Sequence, residues 1–214
     1  MLSVPYYESK GDPNRCFEAS MKSVLKYFTP NSDCSLEQLD EMVGRKPGMW
    51  TYTHQIVPVL HKLGLNVRFY SRDTIERYTT KRRLLGLLKN SYDKKSLSFV
   101  LQHTDVETVV AKAVECQRYT LFEAKRLRFN EIERHIDMGH IPMVLLDWHT
   151  LESIRGPYQG HFVVMTGYDS DNVYYHENSE SMPVPNRKVP KVRFAKAWDN
   201  VRTGNDVVIA LGTR

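Results

Sequence analysis

Apolar residues in the first third of the chain recur at helical spacing. Phe17, Met21, Val24, Leu25 and Phe28 share one face of a helix that begins near Cys16 and stops before Pro30. Ser35 with Gln38 three residues on is a capping box, and Leu36, Leu39, Met42 and Val43 behind it predict a short helix to about Gly44. A third helix, over residues 53–63, carries Ile56, Val59, Leu60 and Leu63 and ends at Gly64, which accepts the left-handed C-cap conformation. Residues 65–70 then read as a strand. The middle predicts helices over 74–88 and 106–117, the second with Val106, Val109, Val110, Ala113 and Val114 on one face. Asn130 as an N-cap, with Glu133 three residues on, predicts another helix ending at Gly139. The period then changes. Residues 141–146, 161–167, 172–177 and 207–211 are apolar or alternating segments separated by turn residues, and read as strands. A helical front half and a strand-rich back half predict an α+β fold, one lobe packed on the other.

No internal repeat and no Gly/Ser- or Pro-rich linker interrupts the 214 residues, so one domain is expected. Its parts are a helical lobe over 1–70, a basic helical middle over 71–129 and a sheet lobe over 130–214. A hydrophobic share of 41% suffices for one sizeable core. No apolar run approaches the roughly 20 residues of a membrane span, and the first ten residues lack the layout of a secretory signal, so a soluble, cytoplasmic protein is expected.

The net charge of +5 is uneven, with nine basic and three acidic residues between Arg68 and Lys95. Such a run reads as a solvated helix face, or as a surface for phosphates, a membrane or an acidic protein. No RNA-binding aromatic motif, zinc finger or base-reading helix accompanies it, so nucleic acid is not the expected partner. Three cysteines are an odd number for a disulfide framework and lack CxxC spacing. Cys116 reads as a small buried hydrophobe on its helix, and Cys34 as a loop thiol without a partner.

Cys16 follows the turn-forming Gly11-Asp12-Pro13-Asn14-Arg15 and falls at a helix start, where the dipole and unpaired N–H groups favour a thiolate. A buried structural cysteine would share that position. His161 stands first on an apolar strand, where a polar side chain needs a partner; the next strand ends in Glu177 and Asn178. Cysteine, histidine, then carboxylate or amide is the order of a papain-like nucleophile. His135, His140 and His149 with Asp147 do not place two ligands on one helix face, so neither metal nor cofactor is expected. Asp147 and Trp148, at a strand end, are candidates for the rim of a cleft and for substrate contact.

Val4-Pro5-Tyr6-Tyr7, Cys16 with Ala19-Ser20-Met21 and Leu25-Lys26-Tyr27-Phe28, and the downstream Gly160-His161-Phe162-Val163-Val164-Met165-Thr166-Gly167-Tyr168 resemble the papain-like peptidases related to the bacteriocin-processing domains that cut after double-glycine leaders. The helix around Phe194 and Trp198 and the final strand also resemble that family. The resemblance covers residues 4–70 and 130–212, with the basic middle as an apparent insertion. It implies a papain-like fold, Cys16 as nucleophile, His161 as general base, and a third residue at the position of Glu177, with Asn178 adjacent. Alternation lets only one of these two point at His161, and Glu177 aligns with the family's usual aspartate.

Two departures stand out. The family's oxyanion glutamine is missing, since the chain reads Glu8-Ser9-Lys10, and losing one such donor costs ~10²–10³ in rate. Ser9, Asn14 and the N–H of Cys16 are the candidate replacements. Phe17 stands where the family has glycine and is expected to crowd the cleft. The resemblance implies a cysteine peptidase acting on a protein or peptide, with the basic middle suited to an acidic substrate. Acyl transfer and deamidation share its first half-reaction, and a catalytically impaired binding module is the competing reading.

Overall fold

In the computed structural model, which describes residues 1–214, the first three helices form where the apolar period places them. α1 (Cys16–Phe28) buries Met21, Val24 and Leu25. α2 (Leu36–Val43) is closed by the capping box: Gln38 N donates to Ser35 Oγ at 3.2 Å, and Ser35 N to Gln38 Oε1 at 2.8 Å. Gly44 behind it takes a φ of 79°, in the left-handed region glycine adopts without strain. α3 (Thr53–Lys62) leads into β1 (Leu65–Ser71).

The middle departs from expectation. The helix expected over 74–88 breaks into a short 3-10 turn, Ile75–Arg77, and α4 (Lys81–Ser91), whose N-cap is Thr80. α5 (Lys94–Gln102) was not expected; Asp93 caps it and only Val100 is fully buried, so its apolar signal is faint. α6 (Val106–Arg118) follows the expected face. Leu84, Leu88, Val100 and Val109 form a small core of their own, and the cations of the basic run (Arg82, Arg83, Lys89, Lys94, Lys95) are exposed around it. α7 (Phe129–Asp137) starts earlier than expected, because Glu131 rather than Glu133 reaches back, accepting from Arg128 N at 2.7 Å. Asn130 is therefore inside the helix and not its cap.

Seven strands make one sheet in the order β2-β1-β7-β3-β4-β5-β6. They are β2 (Phe122–Ala124), β3 (Ile141–Asp147), β4 (Gly160–Tyr168), β5 (Asn172–Glu177), β6 (Val184–Pro190) and β7 (Val207–Thr213) together with β1, and all neighbours are antiparallel except β1 and β2. β2 and β6 were not expected, being respectively three residues long and mostly exposed. Alternation gives the sheet two apolar faces. Val67, Phe69, Met143, Phe162, Val164, Val208 and Ala210 pack under α1–α3. Val144, Leu146, Val163, Met165, Tyr175, Val207 and Ile209 pack with α7 and α9 (Lys191–Trp198) on the other side. The α+β architecture thus has helices on both sheet faces, with α8 (Trp148–Glu152) closing the end of β3. No helix is long and apolar enough to cross a membrane.

Candidate active site

The site is built where the N-terminus of α1 meets the first residues of β4. Phe17 stacks on Phe162 with ring centroids 4.2 Å apart and planes 13° from parallel. This buried pair locks the helix start against the strand and sets the neighbouring side chains, Cys16 and His161, beside each other. Phe17 is turned into the core and does not crowd a cleft, which corrects that expectation. Cys16 is 8% exposed and heads a helix whose N-cap, Arg15, offers no side-chain acceptor, so the first-turn N–H groups are not capped from the side chain.

His161 is 6% exposed, and its Nε2 lies 2.7 Å from Glu177 Oε1. Burial works against a charged ring there, but the Cys16 side chain and the Glu177 carboxylate outweigh it and hold the imidazole well above the ordinary histidine value. Burial likewise opposes the Glu177 carboxylate, and the hydrogen bond and charge of His161, with the N–H of Ser179 at 3.1 Å, hold it below the usual glutamate range. The far oxygen, Oε2, lies 3.3 Å from Arg187, which grips Glu152 through two bonds of 2.6 and 2.7 Å.

Asn178 points the other way. Its Nδ2 donates toward Cys16 O and Ser20 Oγ, each at 2.9 Å, and Phe162 O at 3.2 Å, tying α1 to β4 from beneath. The alternation along β5 that turns Glu177 to the ring turns Asn178 away, so of the two only Glu177 contacts His161. Ser9 is fully buried; its N–H donates to Asn178 O at 2.7 Å, and its hydroxyl is sealed without a partner, so this conformation does not present it to a substrate oxygen. Asn14 is half-buried on the loop before Cys16, where its N–H donates to Asp12 Oδ1 at 2.9 Å.

That loop is held by a network with no signature in the sequence. Buried Arg45 bonds Asp12 at 2.8 Å and Asp40 at 2.7 and 2.8 Å, and Arg15 bonds Asp40 at 2.9 Å. Asp12 and Asp40 read locally as turn and helix-surface residues, so only the fold brings them together.

Asp147, expected at the rim of a cleft, is instead engaged within the chain. Its carboxylate is buried and accepts from Thr150 Oγ1 at 2.6 Å, Asn200 Nδ2 at 2.8 Å and Gln159 N at 3.2 Å. Trp148 is half-buried beside it; Leu146 lies across from His161, so Trp148 stands at the same end of the sheet. His135 and His140 bring ring nitrogens to 3.0 Å, while His149 bonds Pro157 O at 2.6 Å, so with Asp147 engaged elsewhere the four do not converge on one point. Cys116 is fully buried, and desolvation pushes its thiol up to about 12.

The family model described as the Peptidase_C39 like family matches residues 1–205. Among solved structures, a putative C39-like peptidase from Bacillus anthracis is 13% identical with a TM-score of 0.57, over 99% of this chain and 96% of that one. The peptidase domain of Streptococcus ComA, a bifunctional ABC transporter involved in a quorum-sensing pathway, is 16% identical with a TM-score of 0.50, over 96% of this chain and 97% of that one. At these identities the structural likeness shows a shared papain-like fold. No curated protein matches the chain.

Proposed function

The chain belongs to the Peptidase_C39-like family of cysteine peptidases, and from that premise we propose that it is a thiol hydrolase of peptides or proteins whose nucleophile is Cys16. The observation that carries the reading is the buried line of Cys16, His161 and Glu177, with His161 Nε2 at 2.7 Å from the carboxylate and the thiol acting on the same ring. Nε2 is occupied by Glu177, so Nδ1 is the nitrogen left to take the Cys16 proton. The sulfur then attacks the amide carbonyl carbon, and the oxyanion forms at the N-terminus of α1, where the Cys16 N–H and the Asn14 side chain are the available donors. Collapse breaks the C–N bond, and His161 returns its proton to the leaving amine. Water, losing a proton to His161, then cleaves the thioester. An amine in place of water gives acyl transfer; attack on a side-chain amide gives deamidation.

The exposed cations around α4 and α5 lie outside this line and suit an acidic stretch of a substrate protein. A second reading, a binding module with little turnover, draws on the oxyanion side, where no glutamine stands and the Ser9 hydroxyl is sealed.

Iodoacetamide labelling at pH 6 separates these readings. Cys16 is expected to label at least tenfold faster than Cys34, and His161→Ala to abolish the difference. Turnover in a peptide screen is expected to vanish in Cys16→Ala. Slow labelling with no turnover would end the hydrolase reading; fast labelling with no turnover would favour the binding module.

A further inference from the structure

The loop on the oxyanion side of the site is fastened by charge at both of its ends. Gly11 turns it, with a φ of 80° and its N–H on Glu180 Oε1 at 3.1 Å. Asp12 then organises the turn that leads into α1. Its backbone carbonyl accepts from Arg15 N at 3.2 Å, and its Oδ1 from Asn14 N at 2.9 Å. An aspartate builds such a turn in many surface loops. The other oxygen sets this loop apart: Oδ2 accepts from Arg45 Nη1 at 2.8 Å.

Arg45 is itself immobilised. Its side chain is 2% exposed, and Nε and Nη2 grip the two oxygens of Asp40 at 2.7 and 2.8 Å, while its backbone N–H donates to Asp40 O at 2.8 Å. A planar guanidinium held by two prongs has its third nitrogen aimed, and Nη1 is aimed at Asp12. Nε also lies 3.9 Å from Glu18 Oε1, so the same group faces the first turn of α1. Asp40 closes the circuit, because its Oδ2 meets Arg15 Nε at 2.9 Å and Nη2 at 2.8 Å. Asp12 and Arg15, the two ends of the turn, are thereby fastened to one carboxylate on α2, the first through Arg45 and the second directly.

Asn14 lies inside that ring, and Cys16 is the next residue beyond it. Partial burial works against the Asp12 carboxylate, but the Asn14 N–H and the Arg45 guanidinium outweigh it and hold it below the usual carboxylate range. The Asn14 amide acts on the same carboxylate. An amide nitrogen carries two N–H bonds, so one can rest on Asp12 while the other faces a substrate oxygen. Buried ion pairs add little stability over apolar packing, because desolvation consumes most of their attraction. Their contribution here is geometric: donors to a developing oxyanion work only when held within roughly half an ångström of their place.

We infer that Asp12 and Arg45 are positioning residues for the oxyanion, holding the Asn14 amide and the Cys16 N–H on a side of the site that has no glutamine. This role rests on the hydrolase reading of Cys16.

Two reactions of the same thiol separate positioning from packing. Acylation by 4-nitrophenyl acetate builds up an oxyanion and alkylation by iodoacetamide does not, while both need the thiolate. Each is followed at the Cys16 peptide by mass spectrometry. Asp12→Ala frees the loop and leaves the buried Arg45–Asp40 pair intact. It is expected to slow acylation at least about tenfold and to keep alkylation within about twofold of wild type. Asn14→Ala should lose as much, and adding Asp12→Ala to it should cost little more, because the carboxylate acts through the amide. Arg45→Lys, which keeps the charge and loses the fork, is expected to fall between wild type and Asp12→Ala. Acylation unchanged in Asp12→Ala, or acylation and alkylation slowed together, would overturn the positioning role and leave the hydrolase standing. A wild-type Cys16 that is not acylated, however fast it is alkylated, would remove the hydrolase reading and the positioning role with it.

Discussion

Glu177 reaches the histidine with one methylene more than an aspartate, and the longer arm needs its far end held. Arg187 supplies that hold, touching Oε2 at 3.3 Å while its other bonds anchor it to Glu152. Arg187→Met is expected to let the carboxylate swing and to raise its proton affinity. We expect kcat/KM to fall roughly ten- to a hundredfold, part of the 10²–10⁴ that positioned proton transfer contributes, and the acid limb of the pH–rate profile to move up. Arg187→Lys should restore much of the limb's position; an unmoved limb in the methionine variant would make Arg187 merely structural. Asn178→Ala tests the opposite case. It removes the buried amide that ties Cys16 O, Ser20 Oγ and Phe162 O together, so a loss of about 1–3 kcal/mol in stability is expected, with the pH profile unchanged. Cys16, His161 and the Glu177/Asn178 pair could be found from chain order and strand ends. Arg187 could not, because it lies on an exposed strand with no alternation to announce it.

At the scale of elements, the junction of α1 with β4 decides whether a site exists. The Phe17–Phe162 stack gives Phe17 a packing role that a local sequence pattern, matched against a family glycine, reads as an obstruction. Phe17→Gly should therefore destabilise the protein by about 3 kcal/mol or more, combining a core cavity with glycine in a helix, and should slow Cys16 labelling instead of opening the cleft. Denaturant unfolding and labelling rates measured on the same sample check this. Ser35→Ala is the control: it removes one cap bond of α2, should cost about 1 kcal/mol, and should leave labelling untouched. The helices that were legible, α1–α3 and α6, each bury an apolar stripe, α1 and α3 against the sheet and α2 and α6 against those helices. α5 and β6 were missed because each buries a single side chain, Val100 and Val189, and local propensity there is overridden by what the rest of the chain packs against them.

Over the whole molecule, two acids are pushed far above their ordinary range. Burial pushes Glu18, whose Oε1 accepts from Thr51 at 2.6 Å and whose Oε2 has no partner, up to about 7. Burial also raises Asp206 to about 7. Both bind a proton more tightly folded than unfolded. Each therefore favours the native state below about pH 4, where both states are protonated, and withdraws that support as pH rises from there through 7. The slope is at most about 1.4 kcal/mol per pH unit for each group, and less for Asp206, which is only half-buried and partly screened by water. His161, raised by its partners, loses its contribution in the alkaline range above the ordinary histidine value, while Glu177, lowered, loses its own only in acid below the usual carboxylate value. Between pH 5 and 7 the two raised acids consequently dominate these four. Net surface charge also changes over that interval, but it changes alike in a variant that removes one buried group, so the difference from wild type isolates the group. Glu18→Gln keeps an oxygen for Thr51 and removes the titration. Its stability relative to wild type should rise from pH 5 to about 7 and level off by pH 8, and Asp206→Asn should do the same with a shallower slope. Thermal unfolding across that range is the measurement, and a difference independent of pH would show that neither carboxyl is held protonated by the fold.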